Sequence, residues 1–104
     1  MEKKRPFDCG VTRSMEVIGG KWKINILWAI SRGEPIRFNQ LKRAVQGITN
    51  VMLTRSLKEL IAYNLVKKKD FNTIPPHVEY SLTEKGASLV PILRTLDQWG
   101  KKNL

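Results

Sequence analysis

The chain has 104 residues, 41% of them hydrophobic and 27% charged, a composition that fits one globular domain and excludes disorder throughout. Its longest apolar run, Ile26–Ile30, is far short of the ~20 residues a membrane-crossing helix needs. Nineteen Lys and Arg against nine Asp and Glu leave a net charge of +10, which favours a polyanionic partner, nucleic acid ahead of an anionic membrane; surplus lysine that only keeps a small protein soluble is the plainer alternative.

Cys9 and His77 are single. An intrachain disulfide is therefore excluded, and no Cys/His metal cluster can be assembled. No nucleophile–base–acid set or phosphate loop is visible, so neither an enzyme nor a cofactor is expected. Met1–Arg5 is charged but no apolar core of a signal peptide follows, which makes the cytoplasm the expected location.

Residues 1–8 read as a loose basic arm. Val11, Met15 and Ile18 fall at helical spacing and predict a short first helix over 11–18, broken by Gly19-Gly20. Lys21–Arg32 is apolar nearly all round, with Trp22, Ile26 and Ile30 repeating every four residues. A strand is the alternative, but twelve residues exceed the usual strand, so a central helix stopped by Gly33 is expected.

Ile36–Phe38 reads as a brief extended piece. Asn39 is a candidate cap for a helix to about Gln46, ended by Gly47. Thr49 or Asn50 can cap the next helix, which runs to about Asn64 with Leu53, Leu57, Leu60 and Ile61 as its apolar stripe. So short a connection, with a glycine in it, is helix-turn-helix spacing.

Leu65–Phe71 and His77–Leu82 then read as two strands joined by a loop holding Pro75-Pro76. Strands and a basic loop directly after a helix-turn-helix make a wing. Thr83 is a good cap for a last helix whose stripe is Leu89, Ile92, Leu93, Leu96 and Trp99. Pro91 lies inside that stripe and predicts a bend near Val90. The expected fold class is mainly α with a small two-stranded β wing. Residues 1–104 are expected to form a single winged-helix domain: arm 1–8, first helix 11–18, helix-turn-helix 39–64, wing 65–82 and C-terminal helix 83–101.

Between Arg37 and Lys69 stand eight basic residues and one acid, Glu59. A merely solvated face would mix signs, so this region is the candidate DNA-binding surface. With Leu53, Leu57 and Leu60 inward, the 100° helical step leaves Val51, Arg55, Lys58 and Ala62 on the far side, with Thr54 at the margin. Such a strip suits a helix entering the major groove. Arg55 can hold a guanine edge through two hydrogen bonds, and Val51 can meet a thymine methyl. Asn50 and Thr54 can contact bases or phosphate, and Lys58 phosphate. Arg37 belongs to the same basic field. Lys67, Lys68, Lys69 and His77 put the wing against the backbone or the minor groove; a charged edge strand that blocks aggregation is the alternative for the lysines, and an ordinary loop residue the alternative for His77.

Several stretches, taken in order, resemble the HxlR family of bacterial transcriptional regulators. They are Asp8-Cys9, Ile18-Gly19-Gly20-Lys21-Trp22, Arg37-Phe38-Asn39-Gln40-Leu41, Ile48-Thr49 with Met52-Leu53-Thr54, Leu57-Lys58-Glu59-Leu60 and Asn64-Leu65-Val66. Pro76, Val78-Glu79-Tyr80-Ser81-Leu82-Thr83, Gly86 and Trp99 continue the match. The resemblance implies a homodimer on a palindromic operator. It implies that the terminal helices form the dimer interface, through Val11, Met15, Ile18, Leu89, Leu93, Leu96 and Trp99; the same stripes can equally be intrachain core. Asn64 stands where the family often has glycine, and asparagine tolerates the same left-handed turn. Cys9 matches a cysteine that some relatives use to sense quinones, aldehydes or oxidants. At a helix start with Arg13 nearby, its thiol is a candidate sensor of a small electrophile or oxidant. A nonspecific nucleic-acid-binding protein and a winged-helix protein-interaction module remain open as alternatives.

Overall fold

A computed structural model describes residues 9–104; the expected arm over 1–8 lies outside the described residues. Among the described residues nine elements follow in chain order: α1 Gly10–Ile18, α2 Lys23–Gly33, β1 Ile36–Arg37, α3 Phe38–Ala44, α4 Asn50–Ala62, β2 Val66–Asp70, β3 Val78–Leu82, α5 Glu84–Ala87 and α6 Val90–Asn103.

The centre of the core is α2. Ile26, Leu27 and Ile30 are withdrawn from solvent, as the all-round apolar pattern predicts. Leu41 from α3, Leu53, Leu57 and Leu60 from α4, and Leu93 from α6 close over them. Each such side chain contributes roughly 1.5–3 kcal/mol by leaving water, so the helices hold one another rather than standing alone.

Local chemistry sets the boundaries. Thr49 caps α4, its Oγ1 accepting the Met52 N–H at 3.1 Å. At the other end Leu65 N–H donates to Leu60 O and Asn64 N–H to Ile61 O, both 2.9 Å. This is the Schellman pattern, whose left-handed position is taken by Asn64 at φ 62°. The asparagine expected to tolerate that turn does so. Gly47, at φ 87°, supplies the reversal between α3 and α4.

Several helix ends fall one or two residues from expectation, and two departures have a clear structural cause. Helix α3 begins at Phe38, not after an Asn39 cap, because Ile36–Arg37 is a true strand that delivers the chain directly into the helix; the Gln40 side chain accepts the Arg37 N–H at 3.0 Å. The last helix is split instead of bent: α5 ends at Ala87 and α6 starts at Val90, with Pro91 in its first turn. A proline N lacks the hydrogen that the helix interior requires and the first turn does not.

The wing strands pair antiparallel, Val66 opposite Leu82 through Asp70 opposite Val78. Ile36 and Arg37 pair with Tyr80 and Glu79 on the other side of β3. The sheet therefore has three strands, in the order β1-β3-β2, one more than the two-stranded wing expected. Gly86 sits so close to the Leu65 carbonyl that any Cβ there would collide with it, which fixes α5 against the start of β2.

Candidate nucleic-acid interface

Helix α4 turns Leu53, Leu57 and Leu60 fully inward, with Ser56. On the opposite side Asn50, Val51, Thr54, Arg55 and Lys58 are exposed and line one shallow concave surface together with Glu59. The outward strip has the composition read from its spacing. Val51 is 69% exposed, and no element among the described residues covers it.

Glu59 is the one acid of α4, and its charge is answered. Its Oε1 lies 2.7 Å from Lys23 Nζ on α2. That hydrogen bond and charge hold the Glu59 carboxyl below the ordinary carboxylate range. Lys23 also donates to the Val17 carbonyl at 3.2 Å, so one ammonium ties α1, α2 and α4 together. The only signal of this tie in the sequence is a basic residue opening a buried helix.

Arg37 is exposed at the junction of β1 and α3, at the sheet edge away from the wing lysines. Lys67, Lys68 and Lys69 are all exposed, because after Val66 neither face of β2 meets the core. His77 is tied more closely: its Nε2 lies 2.8 Å from Glu79 Oε2, and its ring centroid is 4.5 Å from that of Phe71. Lys69 Nζ stands over the Phe71 ring, 4.8 Å from its centroid. The loop between the strands is closed by Phe71 N–H to His77 O at 2.9 Å. Tyr80, buried on β3, has its hydroxyl pKa raised by desolvation.

The residues proposed by resemblance for a dimer fall into two groups. Val11 and Met15 on α1, and Leu96 and Trp99 on α6, are exposed, as is Ile92 beside them. Ile18 and Leu93 are buried within the chain and Leu89 is half-buried; they support the outward face from behind.

Cys9 is the N-cap of α1 and is exposed. Its Sγ is 3.1 Å from Thr12 Oγ1 and accepts the Thr12 N–H at 3.5 Å. The Thr12 hydroxyl and then the Thr12 amide favour the thiolate and lower the thiol pKa. Thr12 accounts for the two largest effects, in place of the Arg13 charge expected from sequence. No group of three or more metal-ligating side chains occurs among the described residues, and none of their helices is long and apolar enough to cross a membrane.

Helix-turn-helix, three-stranded wing and flanking helices define a winged-helix transcriptional regulator. The family model for the HxlR-like helix-turn-helix matches residues 17–104, and the chain belongs to that family. The HTH-type transcriptional regulator YkvN of Bacillus subtilis is 50% identical over 96 residues, which are 92% of this chain and 80% of that protein. The redox regulator HypR in its oxidized form superposes with a TM-score of 0.84 at 42% identity, covering 92% of this chain and 98% of that one. A protein of Porphyromonas gingivalis W83, classed with the MarR family of transcriptional regulators, superposes with a TM-score of 0.87 at 39% identity, covering 99% and 100%. These relatives are transcriptional regulators, not enzymes.

Proposed function

We propose that the protein is a homodimeric, sequence-specific DNA-binding regulator, with one α4 from each subunit in successive major grooves about 34 Å apart. The observation that carries this reading is the strip Val51, Thr54, Arg55 and Lys58, left uncovered while the leucines of the same helix are fully buried. Arg55 and Val51 read base edges. Asn50 and Thr54 contact bases or phosphate. Lys58, Arg37 and the wing residues Lys67, Lys68, Lys69 and His77 hold the backbone or line the minor groove. The dimer forms through the apolar faces of α1 and α6, and the whole of 1–104 acts as one DNA-binding domain in the cytoplasm.

Selection of bound duplexes from a random pool is the direct test. A two-fold symmetric site is expected, preferred over bulk DNA by ~10³ or more. Selection without a consensus contradicts sequence-specific readout. If the dimer neutralises roughly 6–10 phosphates, affinity falls by about 10³ or more between 50 and 200 mM salt.

Cys9 is the proposed sensor of an oxidant or small electrophile, supported by its exposure and by the two Thr12 contacts on its sulfur. With one cysteine per chain, the available products are an intersubunit Cys9–Cys9 bond, a mixed disulfide or an adduct. Diamide or quinone treatment is expected to change operator affinity in the wild type and not in Cys9→Ser. Equal responses of the two proteins contradict the sensor.

A further inference from the structure

A third concave surface lies apart from the DNA strip and from α1, and adjoins α6 through Asn25 and Trp28, which also line the groove beside Leu93 and Leu96. It is a pocket of about 540 Å³ between α2, β1 and the end of α3, within the roughly 300–1,000 Å³ range of small-molecule sites. Trp22 and Trp28 both line it and are half-buried. The Arg32 guanidinium, also at the pocket, stacks over the Trp28 ring at 5.4 Å. The Lys21 ammonium stands 4.8 Å from the Trp22 ring centre. Asn25 and Gln46 add neutral amides, and no Asp or Glu lines the surface.

Core tryptophans ordinarily complete the packing around them. Here two of them face an open pocket with a cation beside each ring. Arg32 has no ion-pair partner among the described residues. The carboxylate close to it in sequence, Glu34, is committed elsewhere and accepts the Leu82 N–H at 2.8 Å. A planar guanidinium without a carboxylate partner presents a fork that matches a carboxylate by two parallel hydrogen bonds. An indole pairs with a second aromatic ring in offset-stacked or edge-to-face geometry, which leaves the cation over its face in place.

We propose that this pocket binds planar aromatic carboxylates of one or two rings, the ring against Trp22 and Trp28 and the carboxylate on Arg32. The site adjoins the helix-turn-helix itself. Val45 and Gln46, in the turn after α3, line it. A Cβ at the turn residue Gly47 would lie 3.8 Å from the Trp22 ring. A bound acid therefore touches the segment that sets α3 against α4. Its effect on DNA rests on the regulator reading, whereas binding itself does not.

The test uses 2-naphthoate and its neutral counterpart 2-naphthamide with full-length, 15N-labelled protein. The indole N–H signals of Trp22, Trp28 and Trp99 are assigned by Trp→Phe variants, and Trp99, on α6, is the internal control. Naphthoate is expected to shift the Trp22 and Trp28 signals saturably while Trp99 stays in place. Arg32→Gln, an exposed position, weakens naphthoate by about tenfold or more and leaves naphthamide unchanged; Arg32→Lys, which keeps the charge but loses the fork, falls between them. Absence of a saturable shift overturns the site, as does equal affinity for acid and amide. An Arg32→Gln protein that melts normally and binds naphthoate like wild type overturns the assigned role of the guanidinium. These titrations contain no DNA, so their failure leaves the regulator reading standing, and a failure to bind DNA leaves them standing. Repeated with bound duplex, the naphthoate affinity changes about threefold or more if the two sites are coupled; an unchanged value removes the coupling.

Discussion

The helix-turn-helix and the terminal helices carry the same kind of amphipathic pattern and end differently. In α4 the leucine face is closed from within by α2, and what reaches water is small, polar or cationic. In α1 and α6 only Ile18 and Leu93 are buried, while Val11, Met15, Ile92, Leu96 and Trp99 remain outside. The stripe of α6 is wider than the core it lies on. An uncovered cationic face calls for a polyanion, and an uncovered apolar face calls for protein. One small domain thus presents two surfaces that ask for chemically opposite partners.

The sharpest way to break this contrast is to attack the closed face. Leu53→Ala, at a fully buried site, is expected to cost about 2–5 kcal/mol in denaturant unfolding. Val51→Ala, two residues earlier on the open face, should stay within ~0.5 kcal/mol. Equal costs would mean that α4 is not oriented as described.

Next comes the open apolar face. Leu96→Glu is expected to shift the protein toward monomer by more than 30-fold in dissociation constant, about 2 kcal/mol or more, read by analytical ultracentrifugation. Its melting in dilute solution should change little beyond the loss of dimer. A variant as dimeric as the wild type would move the subunit interface away from α6.

The cationic face predicts a smaller and more selective effect. Arg55→Ala should lower specific affinity by about 1–3 kcal/mol and relax discrimination at one base pair, whereas Lys58→Ala should weaken all sequences alike and flatten the salt dependence by about one phosphate. Binding assays on a selected site and its single-base variants separate the two. If both substitutions act identically on every sequence, α4 contributes charge without readout.

The Lys23–Glu59 tie gives the mildest test. The folded-state carboxyl of Glu59 titrates below its unfolded value, so its contribution is complete above the unfolded pKa and is lost as pH falls through the folded one. Glu59→Gln should therefore remove part of the acid-side slope of stability and leave the neutral-pH fold intact. An unchanged acid limb would show that the ion pair contributes nothing to the fold.

The elements were legible where one physical signal dominated. Helix α4 announced itself through Leu53, Leu57 and Leu60 with a threonine cap before them, and α2 through an apolar surface too large to expose. The extended piece at Ile36–Phe38 was legible, but its pairing was not, because two residues cannot show an alternation; Ile36 and Arg37 become a strand because the second edge of β3 is available to them. The uneven pattern of Lys67–Asp70 has another cause: beyond Val66 the strand runs past the core and both of its faces are left in water. Within the candidate site the outward strip of α4 followed from spacing, but the hold of Lys23 on Glu59, across 36 residues of sequence, did not. Trp22 repeats with Ile26 and Ile30 as a core residue would, and only packing shows that it and Trp28 line an open pocket.

By itself the sequence determined the periodicities, the caps Thr49 and Thr83, the turn residues Gly47 and Asn64, and the concentration of positive charge between Arg37 and Lys69, because these depend on neighbours one to four positions away. Tertiary structure decided which stripes are used up inside the chain and which are left over. It also decided that the sheet has a third strand, and that two tryptophans meet two cations around a cavity. Those outcomes depend on how much surface distant elements can cover, a quantity that no local spacing encodes.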